Sequence, residues 1–192
     1  MLIQSHGIVL AGGRSLRMGQ TKALLQFQGK TLLDRAVELL ESVCQSVIIS
    51  GPYSVRGYPS IEDVFLQKGP LGGIASVLRS DFVSTGNSSL KFIFIPVDMP
   101  FLTQRELRLL VDQSACWTSF KGHELPFCFK NSQKVLLQIE KLFTEPLAKG
   151  SIEELRKKMG GIEIELSEHA GNQSLNRAMI NLNTPQDLEL LK

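Results

Sequence analysis

Thr31-Leu-Leu-Asp-Arg-Ala-Val-Glu-Leu-Leu-Glu-Ser-Val43 runs directly into Cys44-Gln-Ser-Val-Ile-Ile-Ser50, a helical pattern followed at once by an apolar one. Leu32, Leu33, Ala36, Val37 and Leu40 recur at spacings of three and four, which lines one face of a helix. Thr31 with Asp34 has the form of a capping box with the shorter acid. Outward from this stretch, residues 8–10, 47–50 and 92–97 are short apolar runs bounded by turn residues, the pattern of strands buried on both faces. Residues 72–79 read as a second helix ahead of the third run. Residues 103–113 read as a third helix behind it, opened by the capping box of Thr103 and Glu106. This βαβαβα alternation predicts an α/β fold: a doubly wound, mostly parallel sheet with helices on both faces and ligands at the C-terminal ends of its strands.

The second half is less regular. Residues 134–143 and 151–159 read as helices, 126–129 and 162–166 as strands, and 170–178 as a loop, which predicts a partly antiparallel C-terminal half. Thr184, Pro185 and Asp187 supply a cap, a first-turn proline and an N3 acid for a last short helix.

With 192 residues, 43% of them hydrophobic and 21% charged, the chain has ordinary globular composition, and a single domain over 1–192 is expected. Lys and Arg total 21 against 19 Asp and Glu, a balance of +2 that makes no field for nucleic acid or an anionic membrane. Any anion site must therefore be local. No secretory pattern opens the chain and no window approaches ~20 apolar residues, so a cytoplasmic protein without a membrane span is expected. Cys44, Cys116 and Cys128 form no Cys-x-x-Cys pair and are expected to be buried free thiols; His6, His123 and His169 share no ligand spacing.

The chemistry concentrates at strand ends. After the first strand comes Leu10-Ala-Gly-Gly-Arg-Ser-Leu-Arg-Met-Gly-Gln-Thr-Lys22. Gly12 and Gly13 let backbone amides approach an anion, and Arg17 and Lys22 supply charge-assisted donors, so this turn suits a phosphate chain; a solvated turn is the plainer alternative. It is not a Walker A loop, because Gly13 and Gly19 enclose five residues and Lys22 follows later, nor does it fit the dinucleotide fingerprint Gly-x-Gly-x-x-Gly. Asp98, in Asp98-Met-Pro-Phe101 at the end of the third run, is placed to hold magnesium against substrate phosphates or, alternatively, to brace the turn before Pro100. Gly69-Pro-Leu-Gly-Gly73 either exposes amides to a base or ribose or forms a structural turn. The Asp63 carboxylate can accept from the N1–H and 2-amino group of a guanine; a solvated loop acid is the alternative. Asn181 and Asn183 suit a metal or an acceptor phosphate, with loop-stabilising Asx bonds as the rival reading.

In this order and spacing, the Leu10 to Lys22 turn, Gly69-Pro-Leu-Gly-Gly73, Asp98-Met-Pro100 and Asn181-Leu-Asn-Thr-Pro185 resemble the MobA-type molybdenum cofactor guanylyltransferases, over residues 8–191. The resemblance implies a Rossmann-like nucleotidyltransferase that uses GTP and Mg2+ to add GMP to the terminal phosphate of molybdopterin cofactor, releasing diphosphate. By position it makes Leu10, Ala11, Gly12 and Ser50 nucleotide contacts, Arg17 and Lys22 phosphate contacts, Asp63 the guanine reader and Asp98 the magnesium ligand. Gly13 and Gly69 join the nucleotide side from their place in the two glycine turns, and Asn181 and Asn183 the acceptor side. Arg17, Lys22 and Asp98 form the catalytic set. Cofactor-delivering and cofactor-accepting proteins are implied partners. Family members often carry Asn at the place of Ser50, Asp at that of Thr21, and Ala at that of Gly72. Cytidylyl relatives usually read Leu-Ala-Ala-Gly in the first turn, so Gly12 after Ala11 leans toward guanine. The expected chemistry is in-line attack of an ionised phosphate on the α-phosphorus, with no covalent enzyme intermediate. A transferase using CTP or a sugar-phosphate acceptor, and a non-catalytic nucleotide-binding module, are the competing readings.

Overall fold

The computed structural model describes residues 3–12, 21–55, 57–83, 89–145, 150–165, 177–183, 186, 187 and 189. In chain order the strands are β1 (Ile3–Leu10), β2 (Gln26–Phe27), β3 (Lys30–Thr31), β4 (Cys44–Ser50), β5 (Ser60–Ile61), β6 (Lys91–Pro96), β7 (Trp117–Phe120), β8 (Phe127–Lys130) and β9 (Ile162–Ile164). The helices are α1 (Leu32–Glu41), α2 (Gly69–Arg79), α3 (Gln104–Val111), α4 (Ser132–Thr144) and α5 (Ile152–Lys158), with a 3₁₀ turn over Lys22–Leu24. Seven strands form one sheet in the order β5-β4-β1-β6-β8-β7-β9, and β2 pairs with β3 as a separate hairpin. The first four strands run parallel, β8 is antiparallel to both its neighbours, and β9 is parallel to β7. The sheet is thus mostly parallel where the alternation is clear and mixed in the second half, as expected.

Strand alternation splits the core into two layers. Val9, Ile49, Ile93 and Ile95 face α1 and α3. Ile8, Ile48, Phe92 and Phe94 face α2, α4 and α5. On the latter side Trp117, Phe127 and Phe129 continue the layer as stacked rings, Trp117 to Phe127 at 4.4 Å between centroids. These side chains are completely or almost completely buried, which anchors the antiparallel half as firmly as the parallel half.

Local chemistry explains the helix starts. Thr31 Oγ1 accepts from the Asp34 N–H at 2.9 Å and donates to Asp34 Oδ2 at 2.6 Å, so the shorter acid meets the hydroxyl and not the cap's own backbone. At α3 the longer Glu106 completes the box, accepting from the Thr103 N–H at 2.9 Å. α2 begins three residues before the predicted boundary, at Gly69, because Pro70 in a first turn has no N–H to leave unpaired. The residue pattern does not predict β7: Trp117, Thr118, Ser119 and Phe120 are all buried, and two polar residues in the middle conceal a core strand. β5 and the β2–β3 hairpin are too short to show a period. Cys116 corrects the thiol expectation, since it is exposed; Cys44 and Cys128 are buried, and burial pushes their thiols up to about 11 and about 12. Leu166, most of 170–178, Thr184 and Pro185 lie outside the described residues. Among the described residues no helix is long and apolar enough to cross a membrane.

Candidate active site

The chain passes from β1 through α1 to β4 on one side, and then through α2 to β6 on the other side of β1, so the sheet's order reverses at β1. A crevice at the C-terminal ends of the strands is the ligand position such a reversal creates. Leu10 is in register with Ser50 on one side and Pro96 on the other, which brings the turn at Ala11, the turn at Gly51 and the Asp98 segment to one edge.

The two turns touch. The Ala11 and Gly12 amides both donate to the Ser50 carbonyl, at 2.8 and 2.9 Å. Those donors are therefore engaged with β4, and what Gly12 presents outward is its exposed Cα. Gly51 has a φ of 142°, and a Cβ there would lie 2.9 Å from the Gly12 nitrogen, so only glycine permits this approach. Ser50 is 3% exposed and faces Gly73 of α2, where an added Cβ would come 2.8 Å from its hydroxyl oxygen.

Lys22 opens the 3₁₀ turn, fixed in place by Ala23, which is 1% exposed in the core. Its Nζ donates to Asp98 Oδ2 at 2.6 Å and to Asn183 Oδ1 at 3.0 Å. The Lys22 and Asp98 side chains are 18% and 16% exposed, a shielded pair with one open side. Asn183 arrives there because the preceding Leu182 is completely buried and its N–H donates to the Asp98 carbonyl at 2.9 Å. Asp187 Oδ2 then accepts from the Asn183 N–H at 2.7 Å. Three of the predicted residues, far apart in sequence, thus converge on one ammonium group.

Asn181 is exposed and is not part of that cluster. Gly69, exposed with a φ of 57°, is the first residue of α2. Asp63 is half-buried in the loop after β5, where its Oδ1 accepts from the Phe65 N–H at 2.8 Å. β5 and β6 are three strand spacings apart, roughly 14 Å, so Asp63 and Asp98 lie toward opposite ends of an elongated crevice. Gly13 and Arg17 lie outside the described residues. Sequence reading missed Gly51 and Ser76; only the Ser50-Gly51-Pro52 turn right after a strand hinted at the former. A groove of about 290 Å³ between α1 and α3, floored by Ile95 and Val97, is lined by none of Lys22, Asp98 and Asn183.

The donors fit a hard cation. A carboxylate oxygen and an amide oxygen converge on a positive charge, the oxygen chemistry magnesium selects. Among the described residues no three His, Cys, Asp or Glu side chains gather.

Comparison with known proteins identifies the family and the fold. Molybdenum cofactor guanylyltransferase of Xanthomonas euvesicatoria pv. vesicatoria (strain 85-10) is 34% identical over 184 residues, covering 94% of this chain and 90% of that one. The crystal structure of molybdopterin-guanine dinucleotide biosynthesis protein A from Archaeoglobus fulgidus superposes with a TM-score of 0.72 at 18% identity, over 97% of this chain and 96% of that one. The 2-C-methyl-D-erythritol 4-phosphate cytidylyltransferase of Thermus thermophilus superposes with a TM-score of 0.67 at 16% identity, over 98% and 97%, so the fold by itself does not distinguish bases. The family model for the MobA-like NTP transferase domain matches residues 7–160, which hold the crevice from the first glycine turn to Asp98, and the chain belongs to that family.

Proposed function

We propose that this chain transfers GMP from GTP to the terminal phosphate of molybdopterin cofactor, forming the guanine dinucleotide and releasing diphosphate. The observation that carries the reading is the convergence of Lys22 with Asp98 and Asn183 at the end of β6. The name of the Xanthomonas relative supports the guanine and molybdopterin assignments.

Asp98, with Asn183 beside it, would hold Mg2+, which when bound supplies positive charge to the triphosphate. Lys22 neutralises and orients the phosphates, and Arg17 of the glycine-rich turn adds a second cation. Gly12 lets the nucleotide lie close against the first turn, Gly69 lines the path from phosphates to base, and the buried Ser50 bears on the nucleotide through the first turn, which its carbonyl holds in place. Asp63 reads guanine, and Asn181 with Asn183 meets the acceptor. The acceptor phosphate is already ionised near neutral pH, so alignment and charge neutralisation are the protein's main work, and no side-chain nucleophile is required. The reaction is assigned to the cytoplasm, with one domain over 1–192 performing it and cofactor-delivering and cofactor-accepting proteins as further partners.

Gly12 gives a clean check. Among the described residues, an added Cβ would find its nearest neighbour, the Ser50 carbonyl oxygen, at an ordinary 3.7 Å. Gly12→Ala should therefore keep the wild-type melting temperature while raising KM for GTP by about 10-fold, because a methyl group interferes only with a ligand lying on the turn. An unchanged KM would remove the nucleotide from this turn.

The reading as a whole is tested by measuring diphosphate release from GTP, CTP and UTP with molybdopterin cofactor and Mg2+. Release from GTP alone is expected. Equal release from CTP would favour the cytidylyl reading, and no release from any nucleotide would favour a binding module.

A further inference from the structure

Ser76, on the second turn of α2, is 3% exposed and its hydroxyl has three polar neighbours. It accepts from the Val64 N–H at 3.0 Å, and its single proton faces the Gly72 carbonyl at 2.8 Å and Asp63 Oδ1 at 3.1 Å. With the Phe65 N–H also on Oδ1, the loop over residues 63–65 is fastened to α2 through one buried hydroxyl. Gly72 makes the close approach feasible. A Cβ there would lie 2.6 Å from the Phe65 carbonyl oxygen and 2.9 and 3.1 Å from the two Asp63 carboxylate oxygens. Serine and glycine are both poorer helix formers than alanine, so two weak helical residues sit where the helix meets this one acid.

We infer that Ser76 is a positioning residue for base selection, holding the Asp63 carboxylate in the single orientation that reads guanine. The inference rests on the proposed role of Asp63. A carboxylate has about four acceptor sites. The Phe65 N–H and the Ser76 hydroxyl fill at most two, on Oδ1, and among the described residues no donor reaches Oδ2. What remains matches the N1–H and 2-amino donors on one edge of guanine. A carboxylate free to rotate would satisfy those donors poorly and discriminate little, whereas a clamped one penalises any base that leaves it unpaired.

The test is the ratio of Kd values for inosine triphosphate, which lacks the 2-amino group, and GTP, measured by calorimetry on the whole chain as wild type, Ser76→Ala, Ser76→Cys and Asp63→Ala. Wild type is expected to prefer GTP by about 10-fold, the value of one charge-assisted hydrogen bond. Asp63→Ala should bring the ratio to about one, and Ser76→Ala and Ser76→Cys should each reduce it at least about 3-fold, GTP losing more than inosine triphosphate, which has only its N1–H on the carboxylate. A general loss of packing would weaken both nucleotides alike and leave the ratio intact. If Asp63→Ala loses the preference while both α2 variants keep it, the positioning role is wrong and the guanine reader stands. If wild type shows no preference, or Asp63→Ala retains it, the reading of Asp63 fails and the inference fails with it. Should Ser76→Ala not fold, Ser76→Cys, which keeps the side chain's size but offers only a weak donor, decides the matter through the same ratio.

Discussion

Asp98→Ala is expected to lower GMP transfer by about 10³-fold, measured as diphosphate release at saturating GTP and molybdopterin, with the fold unchanged. The magnitude follows from removing the one carboxylate at the convergence point: several kcal/mol of charge stabilisation on the transferring phosphoryl group depends on it, at a factor of ten for each ~1.4 kcal/mol. The fold should survive because the bond that anchors the 177–183 segment runs from the Leu182 N–H to the Asp98 carbonyl, not to its side chain. Asp98→Asn separates charge from shape. It keeps an oxygen for Lys22 but removes the negative charge, and it should lose nearly as much activity as alanine. Wild-type turnover in either variant would exclude Asp98 from the chemistry.

The second large effect is expected at Lys22. Lys22→Ala should reduce kcat/KM for GTP by about 100-fold, since it removes a shielded cation from the proposed path of the phosphates. Lys22→Arg should not restore it: a planar fork cannot replace a compact ammonium that reaches Asp98 Oδ2 at 2.6 Å and Asn183 Oδ1 at 3.0 Å together. Stability should move little, by at most about 1 kcal/mol, because the pair keeps an open side to solvent. Thermal melts beside the kinetics check this, and a collapse of the melting temperature with unchanged kcat/KM would make Lys22 a structural residue.

The contrast between the two halves of the chain shows which features were legible in the residues. The 3.6 period of Leu32, Leu33, Ala36, Val37 and Leu40 and the apolar runs ending at Leu10, Ser50 and Val97 are local signals, decided by which side chains must leave water. Each overlaps an observed element, although β1 and β4 begin earlier, at Ile3 and Cys44, and β6 ends at Pro96. The capping residues Thr31 and Thr103 were legible for the same reason, since a cap satisfies amides within three residues of itself. Lys22, Asp98 and Asn183 could be picked out singly, as charged or amide groups at strand ends. Nothing in their spacing said that they share one point, because Lys22 and Asn183 are 161 residues apart and meet only through a buried Leu182 and the backbone of Asp98.

The antiparallel half was legible only in outline. β7 hides behind Thr118 and Ser119, and its burial depends on β8 and β9 arriving on either side. Gly51, Gly72 and Gly73 look alike in sequence, yet each answers to a different close neighbour, Gly12, Phe65 or Ser50, that folding supplies from elsewhere in the chain. In the parallel half the helices and main strands follow from short-range hydrophobic periodicity and hydrogen-bond chemistry, so the residues alone specify them. The seating of Asp63 on Ser76 and the meeting of three polar side chains at the end of β6 depend on long-range contacts between surfaces, and those exist only once the sheet has assembled.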